Sequence, residues 1–119
     1  MQEADMKEIK AFVRPERLAD IVEHLRKEGF CCLTVFKGEG TGHYSDKSKE
    51  WPSLDHPFLH SQVAKIEIVT SPKKADKILK IIHEYGKTGN PGDGLIYMTD
   101  VTKAVRVKDL SVDYQQFYE

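Results

Sequence analysis

The stretch "EIKAFVRPERLADIVEHLRKEGFCCLTVF", residues 8–36, changes its apolar period twice. Ile9, Ala11 and Val13 alternate with Lys10, Phe12 and Arg14, which predicts a strand with one face on a core. After Pro15 the spacing becomes Leu18, Ile21, Val22 and Leu25, the i, i+3, i+4, i+7 stripe of an amphipathic helix. Gly29 supplies a left-handed cap. "FCCLTVF" then returns to the β-branched and aromatic composition of a strand.

Residues 63–101 repeat the plan. Ile66 and Ile68 alternate with Lys65 and Glu67. Ser71 stands at an N-cap position with Pro72 as first helical residue. Ala75, Ile78, Leu79 and Ile82 form the second stripe, and Gly86 is read as its cap. "GLIYMTDV" is a strand, and "AVRVKDL" (104–110) a short final one. The order is strand, helix, strand, long connection, strand, helix, strand. This is an α+β chain on the βαββαβ plan of ferredoxin-like domains, with both helices on one face of an antiparallel sheet. The other face then needs cover, most cheaply from further copies of the chain. The whole of residues 1–119 is read as one domain, with a tail of about 109–119 that carries three aromatics.

Composition narrows the function. Eighteen Lys+Arg against nineteen Asp+Glu leave a net charge of −1, which argues against general attraction to nucleic acid or anionic membrane. No apolar run approaches the ~20 residues of a membrane span. "MQEADMKEIK" lacks the apolar stretch of a signal peptide. Cys31 and Cys32 are adjacent, and neighbouring cysteines rarely pair because the ring is strained. A reducing, cytoplasmic location is the simple expectation.

Two irregular stretches carry the candidate chemistry. "GNPGDGLIYM" (89–98) has glycines that let a backbone approach a ligand, yet no lysine or arginine. The connection of about 40–62 is far longer than a hairpin needs, which marks it as functional or disordered, and its Gly, Ser, Asp and Lys suggest mobility. It holds Tyr44, Trp51, His56 and Phe58 as partner-binding side chains, with Trp51 an anchor for loop packing or for a partner. His43, His56 and His60, with the cysteine pair just before the loop, are candidate transition-metal ligands; His56 and His60 would share a face if the segment were helical. The plainer reading is solvated loop histidines. His24 and His83 read as surface histidines. Ser53, Asp55 and His56 are contiguous in a loop and do not make an oriented triad, so no enzyme is expected.

"MKEIKAFVRPERLADIVEHLRKEG", "LTV", "KIEIV", "TGNPGDGLIYM" and "AVRVK", in this order and spacing, resemble the PII signalling family from Met6 to Lys108. The resemblance implies a homotrimer that binds an adenine nucleotide in clefts between subunits. It also implies a T-loop, here the long connection, that reaches a membrane transporter, channel or enzyme. Residue by residue it implies an adenine pocket at Leu33, Thr34, Glu67 and Val69, although Glu67 could equally pair with Lys65. It implies a T-loop root at Gly40 and Gly42, a phosphate turn at Gly92, Asp93 and Gly94, and phosphate cations at Arg106 and Lys108. On a strand, Arg106 and Lys108 would present two cations to one face.

Three departures stand out. Leu95, Val63 and Tyr44 occupy positions where the family carries lysine, lysine and glutamine. His56 falls where some members carry a modified tyrosine. A triphosphate carries about four negative charges, and each lost charged bond costs about 1.5–3 kcal/mol. ADP or AMP is therefore expected over ATP, without 2-oxoglutarate sensing. The alternative is a metal-responsive protein of the same kind, similar to the trimeric copper-tolerance protein CutA, using the loop histidines or cysteines.

Overall fold

The computed structural model describes residues 6–30, 32–54 and 56–111. Cys31, Asp55 and most of the aromatic tail lie outside them. Four strands, β1 (Met6–Val13), β2 (Leu33–Gly40), β3 (Ser61–Thr70) and β4 (Gly94–Val101), form one sheet in the order β2-β3-β1-β4. Every neighbouring pair is antiparallel. Helices α1 (Leu18–Lys27) and α2 (Pro72–Gly86) pack on one face. This is the ferredoxin-like α+β arrangement that the two period changes predict.

Register explains the core. Ile9 opposes Ile68, Ala11 opposes Ile66 and Val13 opposes Ala64, so the alternating residues of the two central strands fall on the same side. All six are buried with Ile21 and Leu25 of α1 and Ala75, Ile78 and Ile82 of α2. The other sheet face carries Phe12, Phe36, Leu95 and Tyr97 among Glu8, Lys10, Lys65 and Glu67, and no helix or further strand among the described residues covers it. The described residues do not supply the second layer expected on that side.

Four local readings need correction. Gly86 is not a left-handed cap: it is the buried last residue of α2, and a Cβ there would lie 3.2 Å from Ile21 Cδ1. Its smallness serves helix–helix packing. Ser71 is the N-cap in position only, since its buried Oγ has no hydrogen-bond partner among the described residues. His24 is not a free surface histidine. Its ring stacks 3.5 Å from Tyr85 of α2, and its Nδ1 donates to the Asp20 carbonyl. Finally, 104–110 is not a strand. The chain there closes a turn, with Arg106 N–H donating to Ser111 O and Leu110 N–H to Arg106 O. Leu110 takes φ 64°, and Asp109 accepts from Ser111 N–H. The alternation Val105, Val107 looks β-like, but both edges of the four-stranded sheet already end without it.

Candidate functional site

The open face and the long loop meet at a cavity. One row across the sheet reads Phe36, Lys65, Phe12, Leu95 on β2, β3, β1 and β4. Above it the chain leaves β2 through Gly38 and Gly40 and returns through Val63. A Cβ on Gly40 would lie 2.9 Å from Val63 Cγ1, so the root of the loop is pressed shut. Phe12, Phe36, Tyr44, Val63 and Leu95 thereby line a cavity of ≈ 560 Å³. Lys37 and Lys65 also border it. Lys65 Nζ sits 3.0 Å from Glu67 and 4.6 Å over the Phe36 ring. Lys37 lies opposite Ala64 near the end of β2.

Beside this cavity the 88–93 turn is built around Asp93. Its carboxylate accepts from the Thr88 and Gly89 amides at 2.8 and 2.9 Å, from the Thr88 hydroxyl, and from Arg14 Nε at 2.8 Å. Burial opposes the charge, but these donors outweigh it and hold Asp93 well below the usual carboxylate range. Gly94 has φ +119° and a Cβ there would fall 1.8 Å from Phe12 O. Gly92 has φ +90°, with Ser45 O where its Cβ would be, at 2.6 Å. Both glycines are demanded by backbone packing, before any ligand is considered.

Arg14, at the end of β1, is buried at 8% exposure. Besides Asp93 it donates to Asp46 of the long loop and, at 3.0 Å, to the Pro91 carbonyl. The Asp93 bond leads in raising its pKa further. Asp46 accepts from the Ser48 hydroxyl and amide, and these with Arg14 hold it below its ordinary value. A second hollow of ≈ 450 Å³ opens here, bordered by Arg14, Asp46, Lys47, Asn90 and Gly92.

Sequence-predicted residues are gathered unevenly. Thr34 and Glu67 are direct cross-strand partners on the open face, and Val69 lies on that face one row along. Leu33 pairs with Ile68 and packs against the core, so its side chain points away from them. Glu67 is in its ion pair with Lys65. The Gly92–Gly94 turn sits at the opposite end, across β1. Asp93 is committed to protein donors. Arg106 and Lys108 are exposed in the closed turn and do not share a strand face. Within one chain the residues expected for the adenine pocket and for the phosphate turn therefore lie on two separate regions of the sheet.

The long loop is more ordered than its composition implies. A 3-10 turn covers Lys47–Lys49, and Trp51 and His60 exchange backbone bonds at 2.9 and 3.3 Å. Ser53 Oγ accepts from the His56 amide, so this serine shapes a turn. Trp51, Leu54, Phe58 and Leu59 remain exposed on the resulting hairpin, as does Tyr44 at its root. His56 and His60 are therefore not a helical pair. Their rings stand edge-on at 5.9 Å, and His60 Nδ1 donates to the Phe58 carbonyl. His56 Nε2 is 3.4 Å from Glu39. His43 borders the Arg14 hollow instead. Among the described residues no three His, Cys, Asp or Glu side chains converge as a metal site. Cys32 is exposed.

Sequence reading missed Arg14 and Asp46. Nothing local links two residues 32 positions apart, or Arg14 to Asp93 at a separation of 79. The one available signal was an arginine followed by proline on the uncovered side of a strand end.

A family model described as "Nitrogen regulatory protein P-II" matches residues 6–110. The chain is 30% identical over 110 residues to the nitrogen regulatory protein P-II of Pyropia yezoensis, covering 92% of this chain and 98% of that protein. It is 33% identical over 103 residues to the Porphyra purpurea protein of the same name, covering 87% and 92%. The crystal structure of Arabidopsis thaliana PII bound to citrate superposes with a TM-score of 0.73 at 25% identity, covering 92% of this chain and 86% of that one. Strand order, helix layer and the long connection between β2 and β3 agree with these matches, and the chain belongs to the nitrogen regulatory protein P-II family.

Proposed function

We propose that this chain is a regulatory switch that binds ADP or AMP in preference to ATP and signals through its T-loop to a membrane transporter or channel. One observation carries the preference: Leu95, Val63 and Tyr44 line a single cavity at the T-loop root. The three departures from the family pattern are thus one change in one place. At these three positions the wall offers hydrocarbon and a phenol in place of the polar and cationic groups of the family pattern, and the Lys65 ammonium at the same wall is held by Glu67. A shorter phosphate chain leaves fewer charges to satisfy there. The uncovered sheet face supports assembly as a homotrimer, with the Thr34, Glu67 and Val69 region of one subunit facing the Gly92–Gly94 turn of the next. Arg106 and Lys108, exposed in their turn, are the cations proposed for the phosphates. The exposed Trp51, Leu54, Phe58 and Leu59 hairpin is the surface for a protein partner.

Calorimetry of ADP, AMP and ATP, each with and without Mg²⁺ and 2-oxoglutarate, tests this reading. ADP or AMP is expected to bind at least about tenfold more tightly than Mg-ATP, following the loss of one charged bond. Tight Mg-ATP binding enhanced by 2-oxoglutarate would overturn it.

A further inference from the structure

The root of the T-loop and the 88–93 turn are far apart in the chain, yet one buried side chain holds both. Arg14 donates from Nε to Asp93, from one terminal nitrogen to Asp46, and from the other to the Pro91 carbonyl. Each carboxylate also organises its own loop. Asp46 receives Ser48, and Asp93 receives Thr88 and Gly89. Gly92 fits against Ser45 O with no room for a side chain. Pulling either loop away takes one carboxylate from a guanidinium that is otherwise buried and lets water reach it, and a hydrated guanidinium holds its remaining carboxylate less tightly, so opening one loop weakens the closure of the other.

We propose that Arg14 is a positioning residue that makes the T-loop root and the 88–93 turn open and close as one unit. Whatever settles on the turn then sets the order of the T-loop. The identity of that ligand rests on the nucleotide reading above; the coupling itself does not.

Hydrogen exchange of the full chain, read by mass spectrometry over 42–50 and 88–93, tests the coupling without ligand. Asp93→Asn should speed exchange about tenfold in both segments, the equivalent of one charge-assisted bond. Asp46→Asn should do the same in reverse, since coupling is reciprocal. In an Arg14→Met background, Asp93→Asn should loosen 88–93 alone. If Arg14→Met does not fold, Arg14→Lys replaces it; a single ammonium engages one carboxylate at a time and should reduce the crosstalk. The proposal fails if Asp93→Asn leaves 42–50 unchanged. It also fails if the crosstalk persists undiminished without Arg14, because the Gly92–Ser45 contact would then carry it. In a separate arm, ADP should protect both segments in the parent chain and only 88–93 in the Arg14 variant. Absence of any ADP protection overturns the nucleotide reading, while the ligand-free comparison still decides the coupling.

Discussion

Leu95 is the residue at which the nucleotide reading can be changed by a single substitution. It begins the second position of β4, opposite Phe12, and is 39% exposed into the cavity. Leu95→Lys places an ammonium on that wall at little cost to packing. ATP affinity should rise at least about tenfold while AMP affinity changes little, measured by calorimetry. Asp93 and Asp46 give a second test at this scale. Both have folded pKa values below those of the unfolded chain, so their stabilisation is complete above about pH 5 and is lost as pH falls through the unfolded value near ~4 and below. Urea midpoints measured from pH 6 to pH 3 should therefore decline, and more shallowly in Asp93→Asn, which has no proton to take up. The variant will be less stable throughout the upper part of that range.

At the scale of elements, the β1–β4 pair depends on Gly94. A methyl group there would fall on Phe12 O, and the φ of +119° is strained for any L side chain. Gly94→Ala should cost at least about 3 kcal/mol or prevent folding, read by thermal unfolding. Trp51→Ala should behave oppositely. The side chain is 68% exposed, so stability should move by less than about 0.5 kcal/mol, while binding to a T-loop partner should be lost. Strands and helices were legible because burial writes its period into the sequence: Ile9, Ala11 and Val13 at two, Ile78 and Ile82 at four. Gly86 was misread because a glycine at a helix end signals a cap, while its contact with Ile21 is a matter of tertiary packing. The false strand at 104–110 has the right alternation but no neighbour to pair with. Of the site, the glycine turn and the T-loop could be found locally. The Arg14 clasp could not, because its partners come together only when the sheet forms.

For the whole molecule, the open sheet face decides the state in solution. Phe12, Leu95 and Tyr97 lie together there with no covering layer among the described residues. Light scattering should give a mass about three times 13.6 kDa. Tyr97→Asp, which puts a charge in the middle of that face beside Lys10, should shift the population to monomer and weaken nucleotide binding with it. A monomeric parent chain would remove the inter-subunit cleft.

The sheet order also has a consequence for how this chain comes to be folded. β1, the first of the four strands in chain order, is an interior one, and both of its neighbours, β3 and β4, are encoded much later. It never touches β2, the strand that follows it. A ribosome-bound fragment ending before residue 61 would therefore hold two strands with no partner for either, joined by a helix lacking its mate. Nothing sheet-like can begin until β3 emerges to lie between them, and the first strand is not enclosed until β4 is released. Such non-local closure slows folding. The long T-loop, sitting between β2 and β3, lengthens that wait, and the residues that will face a partner are made before there is a sheet to hold them.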